Sequence, residues 1–152
     1  MKIMFVCHGN ICRSPMAEFI LKHMLDQRGL SGNITVSSSA TSDEEIYRGI
    51  GNPIYPRAAA TLSAHGIPHS ERRAVRLQRG DYEKYDLFIG MDSANIRNMK
   101  LIFGSDPDSK IKKLKDYTVG GDVFDPWYSG DFETAFSDIY AGCSALLDTL
   151  VL

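Results

Sequence analysis

The sequence predicts an α/β fold: a single-domain open parallel sheet of about four strands with helices on both faces. Three observations carry that expectation. Short apolar runs alternate with amphipathic helical stretches, the order from which parallel sheets with right-handed crossovers are built. The first run, Ile3, Met4, Phe5 and Val6, is apolar on both faces, as a central parallel strand must be. The chain has 152 residues, about one domain, and its 43% apolar and 24% charged residues are those of an ordinary globular core.

The elements follow in order. The first strand covers 3–6 and ends at Cys7, with Gly9 close behind. A helix then opens with Ser14 as N-cap, Pro15 at the first helical position and Glu18 in the first turn. Met16, Phe19, Ile20 and Met24 give it an apolar stripe, and Gly29 stops it. Residues 34–36 read as a second strand. The stretch 37–56, with three consecutive serines, Gly49, Gly51 and Pro53, reads as a long surface loop. A helix over 56–65 is ended by Gly66, Ile67 and Pro68. Residues 87–89 form a third buried strand, 95–103 a helix and 111–114 a short fourth strand. A last amphipathic helix carries Phe132, Phe136, Ile139, Tyr140, Cys143, Leu147 and Leu150 at helical spacing.

Composition excludes several classes. A net charge of −2 gives no basic field for nucleic acid or anionic lipid. Met1 and Lys2 precede an apolar run far too short for a signal peptide or a membrane span. Three cysteines, an odd number, argue for reduced thiols and a cytoplasmic location. There is no internal repeat and no low-complexity tract.

The segment that carries chemistry is Cys7-His8-Gly9-Asn10-Ile11-Cys12-Arg13-Ser14, between the first strand and the first helix. A short loop wrapped around a point aims successive backbone N–H groups inward, a nest for a tetrahedral oxyanion. The following helix adds partial positive charge at the same point. Arg13 can fork two N–H groups onto two anion oxygens. Cys7 sits at the bottom of this cradle, where all three influences favour the negative charge with which a cysteine attacks. Taken alone, Cys7 reads as a small buried hydrophobe and Arg13 as a surface cation. That pairing does not explain a Gly-containing loop with an arginine at a helix mouth.

Val6-Cys7-His8-Gly9-Asn10-Ile11-Cys12-Arg13-Ser14-Pro15 resembles the signature of low-molecular-weight protein tyrosine phosphatases. The likeness extends through Gly51-Asn52-Pro53, His65-Gly66-Ile67-Pro68, Met91-Asp92-Ser93 and Asp125-Pro126-Trp127-Tyr128, followed by Asp131-Phe132-Glu133. The resemblance implies hydrolysis of phosphotyrosine in protein substrates through a phosphocysteine on Cys7, without metal or cofactor. Arg13 would bind the phosphate. Asp125 would protonate the phenolate and then activate water, with Pro126 stiffening its loop. His8, Gly9, Asn10, Ile11, Cys12 and Ser14 would line the pocket, and Trp127 and Tyr128 would wall a slot for the ring. The resemblance further implies that Asn10 and Ser14 hold the loop and donate to the thiolate, and that Ser39 and His69 tie down Asn10. It also implies that Cys12 can trap Cys7 as a reversible disulfide. Cys143, on the apolar face of the last helix, reads as inert core. The expected working form is a monomer, with at most weak self-association.

The chain departs from the pattern in two places. Segment 43–48 is about four residues longer than its family counterpart, which makes Tyr47 the candidate for the opposing aromatic wall. Tyr55 replaces a family aspartate. Competing readings are weaker. Arsenate reduction needs a further cysteine pair, and no cysteine lies between Cys12 and Cys143. Phosphoarginine hydrolysis goes with a threonine where this chain has Ile11. A phosphate-binding module with a dead site would have lost Cys7, Arg13 or Asp125. A zinc site from Cys7, His8 and Cys12 lacks a fourth ligand at recognisable spacing.

Overall fold

The computed structural model describes residues 1–151. Its centre is a four-stranded sheet, parallel throughout, in the order β2-β1-β5-β6. β1 (Lys2–Cys7) lies between β2 (Thr35–Ala40) and β5 (Leu87–Gly90), and β6 (Ile111–Lys113) closes the far edge. Ile3 and Phe5 face α1 (Arg13–Gln27), α2 (Pro56–Ala64) and α5 (Phe132–Leu150). Met4 and Val6 pack on the other side with Met99 and Phe103 of α3 (Ser93–Phe103). Both faces of β1 are therefore covered, which is why its sequence is apolar without alternation.

From β1 the chain passes to β2 on one side and later to β5 on the other. Such a reversal leaves a crevice beyond the carboxyl ends of the strands, the usual ligand position in open α/β sheets. Cys7 ends β1 at that crevice, and Asp92 follows β5 there. A one-turn helix, α4 (Pro126–Ser129), enters from the same end.

Two expectations change. Residues 37–56 are not one loop. β2 runs through Ser37, Ser38 and Ser39 because every residue from Thr35 to Ala40 pairs with β1. The ladder outweighs the weak strand preference of serine, and the hydroxyl of Ser38 finds a partner in Glu18 Oε1 at 2.6 Å. Beyond it, β3 (Ile46–Tyr47) and β4 (Ile50–Gly51) form an antiparallel hairpin. Its turn places Arg48 at φ 51° and Gly49 at φ 78°, the two positive values that a tight two-residue hairpin turn needs.

The second change is at the start of α1. The helix begins at Arg13 with Cys12 in the cap position, and no side chain caps it. Ser14 is not the N-cap, because its hydroxyl is taken by Cys7 and Asn10. The first-turn N–H groups of α1 are thus left without a side-chain acceptor, beside the crevice.

Candidate active site

A cavity of about 130 Å³ opens at the crevice, lined by Cys7 through Arg13, by Glu44 and Glu45, and by Asp125, Trp127 and Tyr128. Cys7 is buried at its floor. The Cys7 sulfur lies 3.0 Å from Ser14 Oγ and accepts from the Asn10 N–H at 3.3 Å. Asn10 takes the left-handed conformation, φ 59°, and this turns the loop back over the sulfur.

Arg13 is 2% exposed. Its Nη1 donates to Asp92 Oδ2 at 2.7 Å and to the Val123 carbonyl at 2.8 Å, and its Nη2 lies 3.6 Å from Asp125 Oδ2. Burial works against the Arg13 charge, but the Cys7 sulfur, Asp92 and Asp125 outweigh it and hold the guanidinium pKa above its ordinary value. Asp92 has a second task as N-cap of α3, where its Oδ1 accepts from Asn95 N at 2.8 Å. One carboxylate thereby fixes Arg13 to the start of a rigid helix. Asp125 caps α4, with its Oδ1 accepting from Trp127 N at 3.0 Å. That bond holds the Asp125 carboxylate at the cavity rim and puts Trp127 and Tyr128 beside it.

Burial pushes the Cys12 thiol up to about 12, and the neighbouring Cys7 and Asp125 add to the shift. Cys12 should therefore remain a protonated thiol at neutral pH and gain reactivity only as the pH climbs toward that value. Brief iodoacetamide treatment at pH 7 is expected to label neither Cys12 nor Cys143, which is fully enclosed by α5 and its neighbours. Peptide mapping checks this, and early label on Cys12 would contradict it.

With this geometry in view, the comparisons with known proteins are decisive. The family model for low molecular weight phosphotyrosine protein phosphatases matches residues 2–151. The chain belongs to that family. Low molecular weight protein-tyrosine-phosphatase YfkJ of Bacillus subtilis is 36% identical over 151 residues, covering 97% of this chain and 94% of its own. Its crystal structure superposes with a TM-score of 0.92 over 99% of this chain and 94% of that one. The human low molecular weight phosphotyrosine protein phosphatase is 35% identical, over 96% of this chain and 93% of its own. A crystal structure named as a Drosophila arginine phosphatase, 28% identical, aligns with a TM-score of 0.88 over 100% of this chain and 99% of that one.

Within this family member, Cys7 through Arg13, Asp125, Trp127 and Tyr128 converge on one cavity, with Ser14 just beneath it. Three other candidates do not join them. Tyr47 is 72% exposed on the β3–β4 hairpin, under the Arg48 guanidinium, and Glu44 and Glu45, in the turn before β3, line the cavity instead. His69 pairs with Ser63 at 2.9 Å and lies against Phe19, away from Asn10. The buried Ser39 hydroxyl finds no hydrogen-bond partner among the described residues, and strand alternation points it to the opposite face from Ser38.

Asn10 is held by Ser14, Ser38, Arg72 and the Val75 N–H. Sequence reasoning missed Arg72 because no local pattern ties it to Asn10, 62 positions away. Tyr55 also acquires a place. Its N–H donates to the Ile11 carbonyl at 2.9 Å, and its ring meets Trp127 edge-on at 4.9 Å and stacks on Phe132 at 5.9 Å. It braces the anion loop and the aromatic wall together.

Proposed function

We propose that this chain is a metal-independent protein tyrosine phosphatase that hydrolyses aryl phosphate monoesters through a phosphocysteine on Cys7. The observation that supports this most strongly is the Cys7 sulfur on the floor of a cavity shared with Arg13 and Asp125, beneath a loop whose Asn10 N–H points at it and beside an uncapped helix start. The names of the relatives point the same way.

The loop N–H groups and the Arg13 fork bind the phosphate. Nη1 is committed to Asp92 and Val123, so Nε and Nη2 serve the anion. The Cys7 thiolate attacks phosphorus, forming an S–P bond as the bond from phosphorus to the phenolic oxygen breaks. Asp125, in its acid form, gives its proton to the departing oxygen. The resulting carboxylate then takes a proton from water as the water attacks phosphorus. The S–P bond breaks, orthophosphate leaves, and Cys7 returns as thiolate. Ser14 Oγ, 3.0 Å from the sulfur, and the Asn10 N–H stabilise that leaving thiolate.

Trp127 and Tyr128 present flat aromatic faces, and Ile11 an apolar side chain, suited to a phenyl ring. Glu44 and Glu45 at the same cavity would suit a guanidinium, so phosphoarginine is the second reading. Buried cysteines without disulfides fit a reducing cytoplasm. Among the described residues, no helix is long and apolar enough to cross a membrane.

An assay in EDTA with phosphotyrosine, phosphoserine and phosphoarginine peptides tests the assignment. Phosphotyrosine should be hydrolysed fastest, at a rate that EDTA does not change. Preference for phosphoarginine would select the second reading, and abolition of turnover by EDTA would sink both.

A further inference from the structure

We propose that Arg72 is a positioning residue for this site: from behind the anion loop, its guanidinium locks Asn10 in the left-handed conformation that aims the Asn10 N–H at the Cys7 sulfur. The proposal rests on the reading of Cys7 as nucleophile.

Asn10 is completely buried and stands at φ 59°, a conformation that non-glycine residues hold only when their surroundings over-determine it. Arg72 supplies much of that determination. Its Nη1 donates to the Asn10 carbonyl at 2.6 Å, and its Nη2 donates to Asn10 Oδ1 and, at 3.4 Å, to Ser38 Oγ. One planar fork thus grips the main-chain and side-chain oxygens of a single residue. The Asn10 amide completes the arrangement by donating to Ser14 Oγ at 2.8 Å and to Ser38 Oγ at 3.0 Å. Ser14 Oγ and the Asn10 N–H both hydrogen-bond the sulfur.

Arg72 is not among the residues lining the cavity, so it acts through Asn10 rather than on a substrate. Burial holds the Arg72 guanidinium below its ordinary pKa, and Glu18, whose Oε1 accepts from Ser38 Oγ at 2.6 Å, works against that shift. A lysine could keep a positive charge there, but an ammonium cannot reproduce the flat two-pronged geometry. The fork, more than the charge, is what Asn10 requires. Without Arg72, the Asn10 side-chain oxygen retains the Val75 N–H at 3.0 Å, whereas its buried main-chain carbonyl loses its donor.

The test compares full-length wild type with Arg72→Lys and Arg72→Met. Three readouts are needed: kcat/KM for an aryl phosphate, inhibition by inorganic phosphate, and the rates of Cys7 alkylation by anionic iodoacetate and neutral iodoacetamide. Melting temperatures are recorded alongside, and all rates are taken well below them. Both variants should lose between about 10-fold and about 100-fold in kcat/KM, short of the ~10²–10³ cost of deleting an oxyanion donor outright. Phosphate should inhibit both variants more weakly. The iodoacetate-to-iodoacetamide rate ratio should fall in Arg72→Met, because a disordered nest no longer draws the anionic reagent.

Wild-type kinetics in Arg72→Lys would overturn the role of the fork. A lowered melting temperature with all three readouts unchanged would reduce Arg72 to a structural residue and overturn the proposal. If the wild-type protein itself fails to turn over aryl phosphates, the nucleophile reading is at fault. Phosphate affinity and the alkylation ratio need no turnover, and they would still decide what Arg72 does to the loop.

Discussion

Cys7→Ser should lower kcat on aryl phosphates by at least about 10⁴-fold, the scale on which removal of a nucleophile is felt. It should still bind inorganic phosphate and vanadate. The two outcomes separate because different groups are responsible. Binding belongs to the loop N–H groups, the start of α1 and Arg13, none of which the substitution removes. Attack belongs to the sulfur alone. A serine hydroxyl in its place would have as its neighbours Ser14 Oγ and the Asn10 N–H, and neither is a base that could activate it. Arg13→Ala is the natural contrast. It removes the fork and leaves Asp92 without its buried partner, so phosphate binding and turnover should both be lost. Substantial turnover by Cys7→Ser would remove the covalent mechanism.

Asp125→Asn should cost ~10²–10⁴-fold on phosphotyrosine, whose leaving phenol has a pKa of about 10 and needs a proton. Asparagine can keep an oxygen for the Trp127 N–H, so α4 should remain capped and the aromatic wall in place. The loss then reports proton transfer and not loop shape. A substrate with a weakly basic leaving group needs little help and should lose much less in the first step. It should also show a burst of released phenol, because the second step still lacks its base. The slope of log kcat/KM against leaving-group pKa decides the matter: it should steepen in Asp125→Asn. An unchanged slope would exclude Asp125 as the acid.

Much of this site is legible along the chain. Cys7 through Ser14 is one contiguous segment between an apolar strand and a Pro-containing helix, and local sequence dictates local wrapping there. Asp125 with Pro126 reads locally only as the start of a turn, which it is, with Asp125 capping α4; its place at the site comes from the resemblance. What holds these segments is less legible. Arg72 reaches Asn10 across 62 positions, and Asp92 reaches Arg13 across 79. No spacing rule connects such pairs, because the parallel sheet brings them together only after its crossovers are made. Ser38 illustrates the same limit from another side. A serine run resembles a loop until β1 lies beside it, and the pleat then decides which hydroxyl meets Asn10 and which does not. Tyr47, next to the Arg48–Gly49 turn, stands exposed outside the cavity that Glu44 and Glu45 line, and nothing in the local pattern distinguishes the two outcomes.

The covalent intermediate itself offers the most direct test. Asp125→Asn is mixed with an aryl phosphate whose leaving group is weakly basic, quenched within the burst, and mapped by peptide mass spectrometry. Phosphoryl transfer to the Cys7 peptide, rising in step with the released phenol toward one group per protein, is the predicted result. A phenol burst with Cys7 unmodified, or with the phosphoryl group on any other residue, would contradict the account.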